Sequence, residues 1–173
     1  MSKPRIAVHK FSSCDGCQLA FLNAGEQLLQ LAQLADIVHF AEAGPYAPEA
    51  AVDIAFIEGS INTQDDLARI RQIRAHSRVL ISIGACATAG GIQALRNLGD
   101  SRDWLGSIYA SPQYLDSLAT ATSIAAHVPV DFEIWGCPVS AQQVFAVIGQ
   151  WLRHVSPRLV EEKVCMECKR RHQ

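Results

Sequence analysis

Short apolar segments alternate along this chain with segments in which apolar residues recur at helical spacing. The five apolar segments are Arg5–Lys10, Asp36–Phe40, Val52–Ile57, Val79–Ile83 and Val130–Trp135. Each is short enough for a strand, and the third is a nearly continuous apolar run, as in strands that helices cover on both faces. This alternation predicts an α/β fold with a doubly wound parallel sheet and right-handed crossovers.

Helical patterns fill much of the chain between these strands. The predicted helices are Gln18–Leu34, a segment from Asn62 or Thr63 to about His76, a short helix ending at Asn97, and a helix capped by Ser140 that runs to about Arg153. Asp65 and Asp66 fall in the first turn of the second helix, where the helix dipole favours them. Residues 98–130 are predicted to be irregular.

Four of the six cysteines follow predicted strands. Cys14 and Cys17 follow the first strand, Cys86 follows the fourth, and Cys137 follows the fifth, while Glu58 closes the third. The carboxyl ends of parallel strands lie at one edge of a sheet, where ligands of such folds gather. The four thiols are therefore predicted to converge at this edge.

Four converging thiolates are typical of an iron–sulfur cluster or a zinc ion. Structural zinc sites usually have two short knuckles separated by a modest loop, whereas the two C-x-x-C pairs here are about 150 residues apart. Glycines flank Cys86 and Cys137, and glycine lets the backbone approach a bulky cluster. These features favour a cluster over zinc. A redox dithiol at Cys14 and Cys17 is a weaker alternative, because Cys86 and Cys137 reach the same edge.

Composition limits the remaining functions. With 173 residues, we expect one domain over residues 1–155 and a charged tail over 156–173. The formal net charge of −2 gives no sign of a nucleic-acid partner. Hydrophobic residues make up 49% and charged residues 18%, which indicates a surface partly covered by a partner protein.

The sequence shows neither a signal peptide nor a membrane span. The first residues are interrupted by Lys3, Arg5 and Lys10. The uncharged stretch Val79–Leu95 has 17 residues and three glycines, too few apolar residues to cross a bilayer. We therefore expect a cytoplasmic protein.

The ordered motifs resemble those of the small subunit of [NiFe]-hydrogenases, a family related to the 20 kDa-type subunit of respiratory complex I. The motifs are Cys14-x-x-Cys17, Glu58-Gly59-Ser60, Gly84-x-Cys86-x-x-x-Gly90-Gly91 and Gly136-Cys137-Pro138. Complex I-type subunits have adjacent cysteines in place of C-x-x-C, so the hydrogenase branch is favoured. Leu95–Asn97, Val164–Lys169 and the missing signal resemble the cytoplasmic sulfhydrogenase delta type.

This resemblance implies a flavodoxin-like fold with one [4Fe-4S] cluster bound by Cys14, Cys17, Cys86 and Cys137. It places Glu58 near the cluster and a subunit interface. It also implies that no catalytic residue lies on this chain, because the nickel–iron site belongs to a large partner subunit. Flavin and NAD(P) would belong to diaphorase and iron–sulfur subunits. Electrons would then pass through the cluster between the nickel–iron site and the diaphorase.

The C-terminal tail departs from the family pattern. Relatives with a segment like Cys165-x-x-Cys168 continue into further cysteines that hold additional clusters, whereas this sequence ends five residues after Cys168. Residues 156–173 are therefore expected to be either the start of a truncated second cluster region or a tail without those clusters. Cys165 and Cys168 are possible additional metal ligands, and with His172 they would still need a fourth ligand for zinc. The other histidines are expected to be packed or solvated rather than ligating: His9, His39, His76, His127 and His154.

Two other functions remain open at the sequence level. One is a quinone-reductase subunit like that of complex I, against which the C-x-x-C motif counts. The other is a non-catalytic binding module stabilised by zinc. A flavin or nucleotide bound by this chain itself is less favoured, because no G-x-G-x-x-G motif or P-loop is present.

Overall fold

A computed structural model describes residues 3–153 and 155–157. Five strands form one sheet in the order β2-β1-β3-β4-β5, and every neighbouring pair is parallel. The strands are β1 (Arg5–Lys10), β2 (Asp36–Phe40), β3 (Val52–Glu58), β4 (Ser77–Ile83) and β5 (Phe132–Ile134). This is the strand order of flavodoxin-like folds, in which the order of successive strands across the sheet reverses between β1 and β3. The predicted α/β parallel sheet is confirmed.

Six α-helices accompany the sheet within the described residues. They are α1 (Gly16–Leu22), α2 (Glu26–Leu34), α3 (Gln64–His76), α4 (Gly84–Ala89), α5 (Ser101–Ile108) and α6 (Ala141–Leu152). A 3₁₀ helix, Ile92–Leu98, follows α4. None of the helices in this part of the chain is long and apolar enough to cross a membrane.

The core has two layers because alternate residues of each strand face opposite sides of the sheet. In β3, Ile54 and Phe56 pack with α1, α2 and α6 on one face. Ala55 and Ile57 pack with α3, α4 and residues 118–130 on the other face. Helices on both faces leave the strand ends as the exposed edge of the sheet, and this is where the cysteines lie.

Two predicted segments are wrong in detail. The single helix expected over Gln18–Leu34 is divided into α1 and α2, because Gly25 has a φ of 55° and cannot continue a right-handed helix. The region 98–130, predicted to be irregular, contains α5. The carboxylate of Asp100 begins that helix by accepting a hydrogen bond from the backbone N–H of Arg102 at 2.8 Å.

The helix after β3 begins as its sequence indicates. Thr63 is its N-cap residue, and its hydroxyl accepts from the backbone N–H of Asp66 at 3.1 Å. The Asp66 carboxylate accepts in return from the backbone N–H of Thr63 at 3.1 Å. This reciprocal pair is a capping box, which satisfies donors that the first turn would otherwise leave open. Ser140 is the N-cap residue of α6, but its side chain makes no capping hydrogen bond.

Candidate metal centre

Three segments bear the four cysteines, and each follows a strand at the carboxyl edge of the sheet. We call these segments the cysteine-bearing loops, although they include the first turns of α1 and α4. Cys14 lies in the turn after β1 and Cys17 in α1, Cys86 lies in α4, and Cys137 follows β5. Cys17 is buried, Cys86 is half-buried, and Cys14 and Cys137 are exposed. All four are free thiols. The site therefore extends from the interior to the surface.

The turn after β1 is fixed by Asp15, which has a left-handed backbone with a φ of 65°. Its carboxylate accepts hydrogen bonds from Lys10 Nζ at 2.7 Å and from Ser13 Oγ at 3.1 Å. Aspartate tolerates this conformation better than most residues because its short side chain bonds locally. Asp15 thus reverses the chain between Cys14 and α1.

Gly84 is the point at which the three loops meet. It has a φ of 81°, and a Cβ built on it would overlap Cys17 Sγ and lie 3.5 Å from the carbonyl oxygen of Gly136. The next residue, Ala85, donates its backbone N–H to that same carbonyl at 2.7 Å. Only glycine allows this approach. The segments bearing Cys17, Cys86 and Cys137 are therefore in direct contact.

Contacts with Pro138 and Val139 bring the turn after β5 against α1. A Cβ built on Gly16 would lie 3.3 Å from Cys14 Sγ and 3.6 Å from Pro138 Cβ. The Cys137–Pro138 peptide bond is cis. The backbone N–H of Val139 donates to the Cys17 sulfur and lowers the pKa of that thiol. Cys14 and Cys137 thus lie on adjoining turns.

The thiols influence one another electrostatically. Burial, together with the negative charges of Glu58, Cys86 and Cys137, raises the pKa of Cys17 to about 12, against the lowering effect of the Val139 N–H. Burial also raises the pKa of Cys86, with further contributions from Cys14 and Cys137. Thiolates that raise one another's pKa in this way repel one another when no cation lies between them. A positively charged metal centre would remove that repulsion.

Glu58 lies at the inner wall of the site and is 1% exposed. Its Oε1 accepts from the backbone N–H of Cys17 at 2.9 Å, and its Oε2 accepts from Gln18 Nε2 at 2.8 Å. Burial raises the pKa of this carboxyl group, and these two hydrogen bonds oppose the shift. Glu58 therefore contacts the backbone of a predicted ligand. Its expected nearness to a subunit interface stays a prediction.

The donor set and the space around it fit a multinuclear cluster. Glycines stand where a side chain would collide with the sulfurs, at Gly84 beside Cys17 and at Gly91, where a Cβ would lie 2.5 Å from Cys86 Sγ. Within residues 3–153 and 155–157, no three His, Cys, Asp or Glu side chains are grouped closely enough to bind one metal ion. The glycines beside Cys17 and Cys86 leave space that a bulky cluster with several irons would need.

The histidines in the described part of the chain contribute no ligand to this group. His9 and His39 are buried and pack ring against ring, with centroids 4.6 Å apart. His127 Nε2 lies 2.6 Å from Thr122 Oγ1, and His76 is exposed at the end of α3. These four are packed or solvated as predicted. The remaining candidates lie outside the described residues: His154, Cys165, Cys168 and His172.

Sequence reasoning missed Gln18 and Gln93, two polar residues beside the cysteines. Gln18 is fully buried and donates to Glu58. Gln93 Nε2 donates to the carbonyl oxygen of Ser12 at 2.8 Å, across 81 residues of sequence. An isolated glutamine at a helical position is ordinarily a surface residue, so no pattern in the sequence marked either one.

Comparison with known proteins decides the family. The model of the NADH ubiquinone oxidoreductase 20 Kd subunit family matches residues 14–151, which include all four cysteines of the site. The chain belongs to this family. Proteins similar to this chain include hydrogenase subunits, as the motif resemblance predicted.

Three relatives illustrate this group. Sulfhydrogenase 2 subunit delta of Pyrococcus furiosus is 31% identical over 95% of this chain and 69% of its own length. A vhu subunit of the F420-non-reducing hydrogenase of Methanocaldococcus jannaschii is 27% identical, over 96% of this chain and 62% of its own length. NAD-reducing hydrogenase HoxS subunit delta of Cupriavidus necator is 27% identical, over 84% of this chain and 77% of its own length. The chain thus spans between 62% and 77% of the length of these relatives.

A solved structure supports the same assignment. A chain from the H₂-reduced state of an NAD⁺-reducing [NiFe]-hydrogenase superposes with a TM-score of 0.85 at 25% identity. The match covers 92% of this chain and 97% of the solved one. The resemblance to hydrogenase small subunits is confirmed, and so is the fold that it implied.

Proposed function

We propose that this chain is the electron-transfer small subunit of a [NiFe]-hydrogenase, with one [4Fe-4S] cluster held by Cys14, Cys17, Cys86 and Cys137. The observation that carries the proposal is the contact of the three cysteine-bearing loops around Gly84 and the carbonyl group of Gly136. The family membership and the hydrogenase relatives support it.

The geometry of the thiols favours a cluster over zinc. A zinc ion draws all of its ligands onto one atom, whereas a cubane bonds each thiolate to a different iron. The described side chains offer no group of three ligands compact enough for a single ion. The glycines at Gly84 and Gly91 instead leave room beside two separate sulfurs. A zinc-stabilised binding module is therefore the weaker interpretation.

A bound cluster would supply one-electron transfer, and the residues of this chain would control its surroundings. Cys17 and Glu58 form a buried inner wall. Cys14 and Cys137 lie on the exposed side of the site. Burial on one side and exposure on the other suit a relay that passes electrons to a partner across the exposed side.

Exposed apolar residues close to the cysteine loops support a large-subunit partner. Leu19 is 47% exposed beside Cys17, and Trp135 is 44% exposed two residues before Cys137. The 3₁₀ helix after Gly91 exposes further apolar side chains: Ile92, Leu95 and Leu98. Apolar surface of this kind, next to a proposed redox site, is typical of a protein interface. We propose that the nickel–iron centre lies on the subunit that covers it.

The proposed electron acceptor follows from the relatives. HoxS subunit delta and the solved hydrogenase both belong to enzymes named for NAD reduction. We therefore propose a NAD(P)-linked diaphorase, with flavin and additional iron–sulfur subunits, in a cytoplasmic complex. Other relatives belong to F420-non-reducing hydrogenases.

Residues 1–155 are proposed as the cluster-binding domain and residues 156–173 as a tail that contributes Cys165 and Cys168 to further metal binding. The four main ligands account for one cluster. If the tail binds more iron, the iron content of the complex falls in a Cys165→Ser/Cys168→Ser variant while the cluster of the main site is kept. Unchanged iron in that variant would limit the chain to one cluster.

The decisive experiment is anaerobic purification of the complex, with iron, sulfide, nickel and zinc counted. We expect about four irons and four sulfides from the main site, and nickel on a co-purifying subunit. Cys86→Ser and Cys137→Ser should each remove the cluster and abolish hydrogen-dependent dye reduction. Ala89→Ser, a change at an exposed position of α4, is the matched control and should retain both. Full activity in both cysteine variants would refute the ligand assignment.

A quinone-reductase subunit is the second candidate, because the matching family model bears the name of a complex I subunit. The two functions differ in the electron donor. The hydrogenase proposal expects H₂ to reduce dyes or NAD(P) in the purified complex. Oxidation of NADH by quinone, without any reaction with H₂ and without nickel, would favour the second candidate.

A further inference from the structure

A cavity of about 640 Å³ lies on the β2 side of the sheet's carboxyl edge. Its walls come from the ends of β1 and β2, from α3, and from residues 46–49. The connection between β2 and β3, residues 41–51, contains no helix. Connections between parallel strands usually contain a helix that covers the sheet. Here a loop takes that place, and the cavity remains between this loop and α3.

Two histidine rings form part of the cavity wall. His9 and His39 are only 2% and 4% exposed, and the Nδ1 atom of each ring makes no hydrogen bond within the described residues. Burial, together with the positive charge of Arg69, lowers the pKa of both rings, so both are neutral at pH 7. A neutral imidazole has one N–H donor and one acceptor. The rings therefore make a polar wall without adding charge.

Arg69 brings a positive charge to the same cavity. Its guanidinium group lies over the Phe11 ring, 4.7 Å from the centroid, and its Nη2 donates to the carbonyl oxygen of Lys10 at 3.0 Å. Asp66 Oδ1 lies 3.6 Å from Arg69 Nη1, beyond hydrogen-bond distance. The other Asp66 oxygen accepts from backbone N–H groups at the start of α3. Arg69 is thus held in position while several of its N–H groups stay available to a ligand.

The other charged groups around the cavity leave Arg69 as its main electrostatic feature. Lys10 Nζ is paired with Asp15 at 2.7 Å and with Glu42 at 3.1 Å. Glu49 is exposed at the rim. The cation that lacks a carboxylate within hydrogen-bond distance, among the described groups of this cavity, is therefore Arg69.

From this arrangement we propose that the cavity binds a small organic carboxylate with an apolar body, held by Arg69. The planar guanidinium group matches the two oxygens of a carboxylate. Phe11, Pro48 and Ile73 line the cavity and offer apolar contacts to the rest of the molecule. One guanidinium balances one negative charge, and the nearby Asp66 would repel a second, so a carboxylate fits better than a phosphate dianion. The cavity volume is in the range of small-molecule sites.

This site is distinct from the four cysteines, and the inference goes beyond the proposed function without depending on it. The test is isothermal titration calorimetry of the purified protein, in the assembly in which it is isolated, with benzoate as the probe. We expect one saturable site per chain with a Kd below about 1 mM. Absence of saturable benzoate binding would overturn the inference.

Two further probes test the class of ligand. Benzamide has nearly the shape of benzoate but no charge, and we expect it to bind at least about tenfold more weakly. Phenyl phosphate should also bind more weakly than benzoate, because its second charge lies near Asp66. Equal affinity for benzamide, or tighter binding of phenyl phosphate, would contradict the assignment to a carboxylate.

Variants of Arg69 test the position of the site. Arg69→Gln removes the charge and should lower the affinity for benzoate at least about tenfold. The control is Arg71→Gln, the same change at an exposed position of α3 two residues away, which should keep the wild-type affinity. If Arg69→Gln does not fold, Arg69→Lys takes its place: it keeps the charge but loses the planar fork, and it should also bind more weakly.

Wild-type affinity in a folded Arg69 variant would place benzoate elsewhere and overturn the inference. A crystal structure of the wild-type protein with benzoate needs no variant at all. Benzoate beside Arg69 in that structure would support the proposal, and benzoate only at other positions would refute it.

Discussion

The Glu58 carboxylate accepts a hydrogen bond from the backbone N–H of Cys17 at 2.9 Å and so joins the end of β3 to the first turn of α1. The second carboxylate oxygen accepts from Gln18 Nε2 at 2.8 Å. All three residues are buried. A buried carboxylate is costly without partners, so the two donors explain why it is tolerated here.

Removing this carboxylate should destabilise the protein. Glu58→Ala leaves the Cys17 N–H and the Gln18 amide buried without an acceptor, and we expect a loss of about 2–4 kcal/mol in the free energy of unfolding. Glu58→Gln should be milder, since Gln18 Oε1 has no hydrogen-bond partner and can face the new amide after a flip. Urea titration measures both, with Glu49→Ala at an exposed position as the control. Equal stability of Glu58→Ala and the control would contradict this account.

Gly84→Ala tests the close approach of the cysteine loops. The added Cβ overlaps Cys17 Sγ, and the left-handed backbone alone costs a residue with a side chain about 1–2 kcal/mol. We expect lower stability and a reduced content of iron and sulfide in the purified complex. Gly106→Ala is the matched control, because a Cβ at this helical position meets nothing within 4 Å. It should stabilise α5 by about 0.5–1 kcal/mol and leave the metal content unchanged.

His9 should make the protein sensitive to acid. Burial, together with the charges of His39 and Arg69, lowers its pKa from 6.5 to about 3. Between these two pH values the unfolded chain binds a proton that the folded chain does not, so stability falls as the pH falls below 6.5. From pH 7 to pH 5 the loss attributable to His9 is on the order of 2 kcal/mol.

His9→Phe should flatten this part of the pH profile, measured by chemical denaturation at a series of pH values. The comparison uses the slope, so a general change in stability of the variant does not affect it. His76→Asn, at the exposed end of α3, serves as the control and should keep the wild-type slope. A His9→Phe profile parallel to that of the wild type would show that other groups cause the acid sensitivity.

Asn97 holds the long connection between β4 and β5 in place. Its Nδ2 donates to the carbonyl oxygen of Ala121 at 2.7 Å, and its Oδ1 accepts from the backbone N–H of Ala121 at 2.8 Å. The Asn97 side chain thus bonds both backbone polar groups of Ala121, as a neighbouring β-strand would. Asn97→Ala should cost about 1–3 kcal/mol, because Ala121 is buried and loses both partners.

Hydrogen exchange provides the local readout for this variant. The Ala121 amide should exchange much faster in Asn97→Ala than in the wild type, while amides of β3 keep their protection. Thr120→Ala, an exposed neighbour, is the control. Unchanged exchange at Ala121 would mean that other contacts hold this segment.

The sheet and the cysteine edge could be predicted because they follow from local patterns. Strands such as Val52–Glu58 are almost entirely apolar, and parallel topology brings their carboxyl ends to one edge whatever the loops do. The capping box of Thr63 and Asp66 is likewise a local signal. These features depend on residues that are near one another in sequence.

The contacts that shape the site are of a different kind. Gln93 reaches Ser12 across 81 residues, and Asn97 reaches Ala121 across 24. Such pairs depend on the final position of two loops, which no periodicity encodes. The division between α1 and α2 was missed for a simpler reason, since the apolar spacing continues through Gly25 although the backbone does not.

The helix α4 begins at Gly84, immediately after the last residue of β4, so Cys86 is joined to an interior strand of the sheet without an intervening loop. A side chain held on such a rigid support shifts little when the charge beside it changes. Each electron that arrives or leaves would then require little rearrangement of the surrounding atoms. If Cys86 ligates the proposed cluster, the direct passage from strand to helix at this point would favour fast electron transfer at a small driving force.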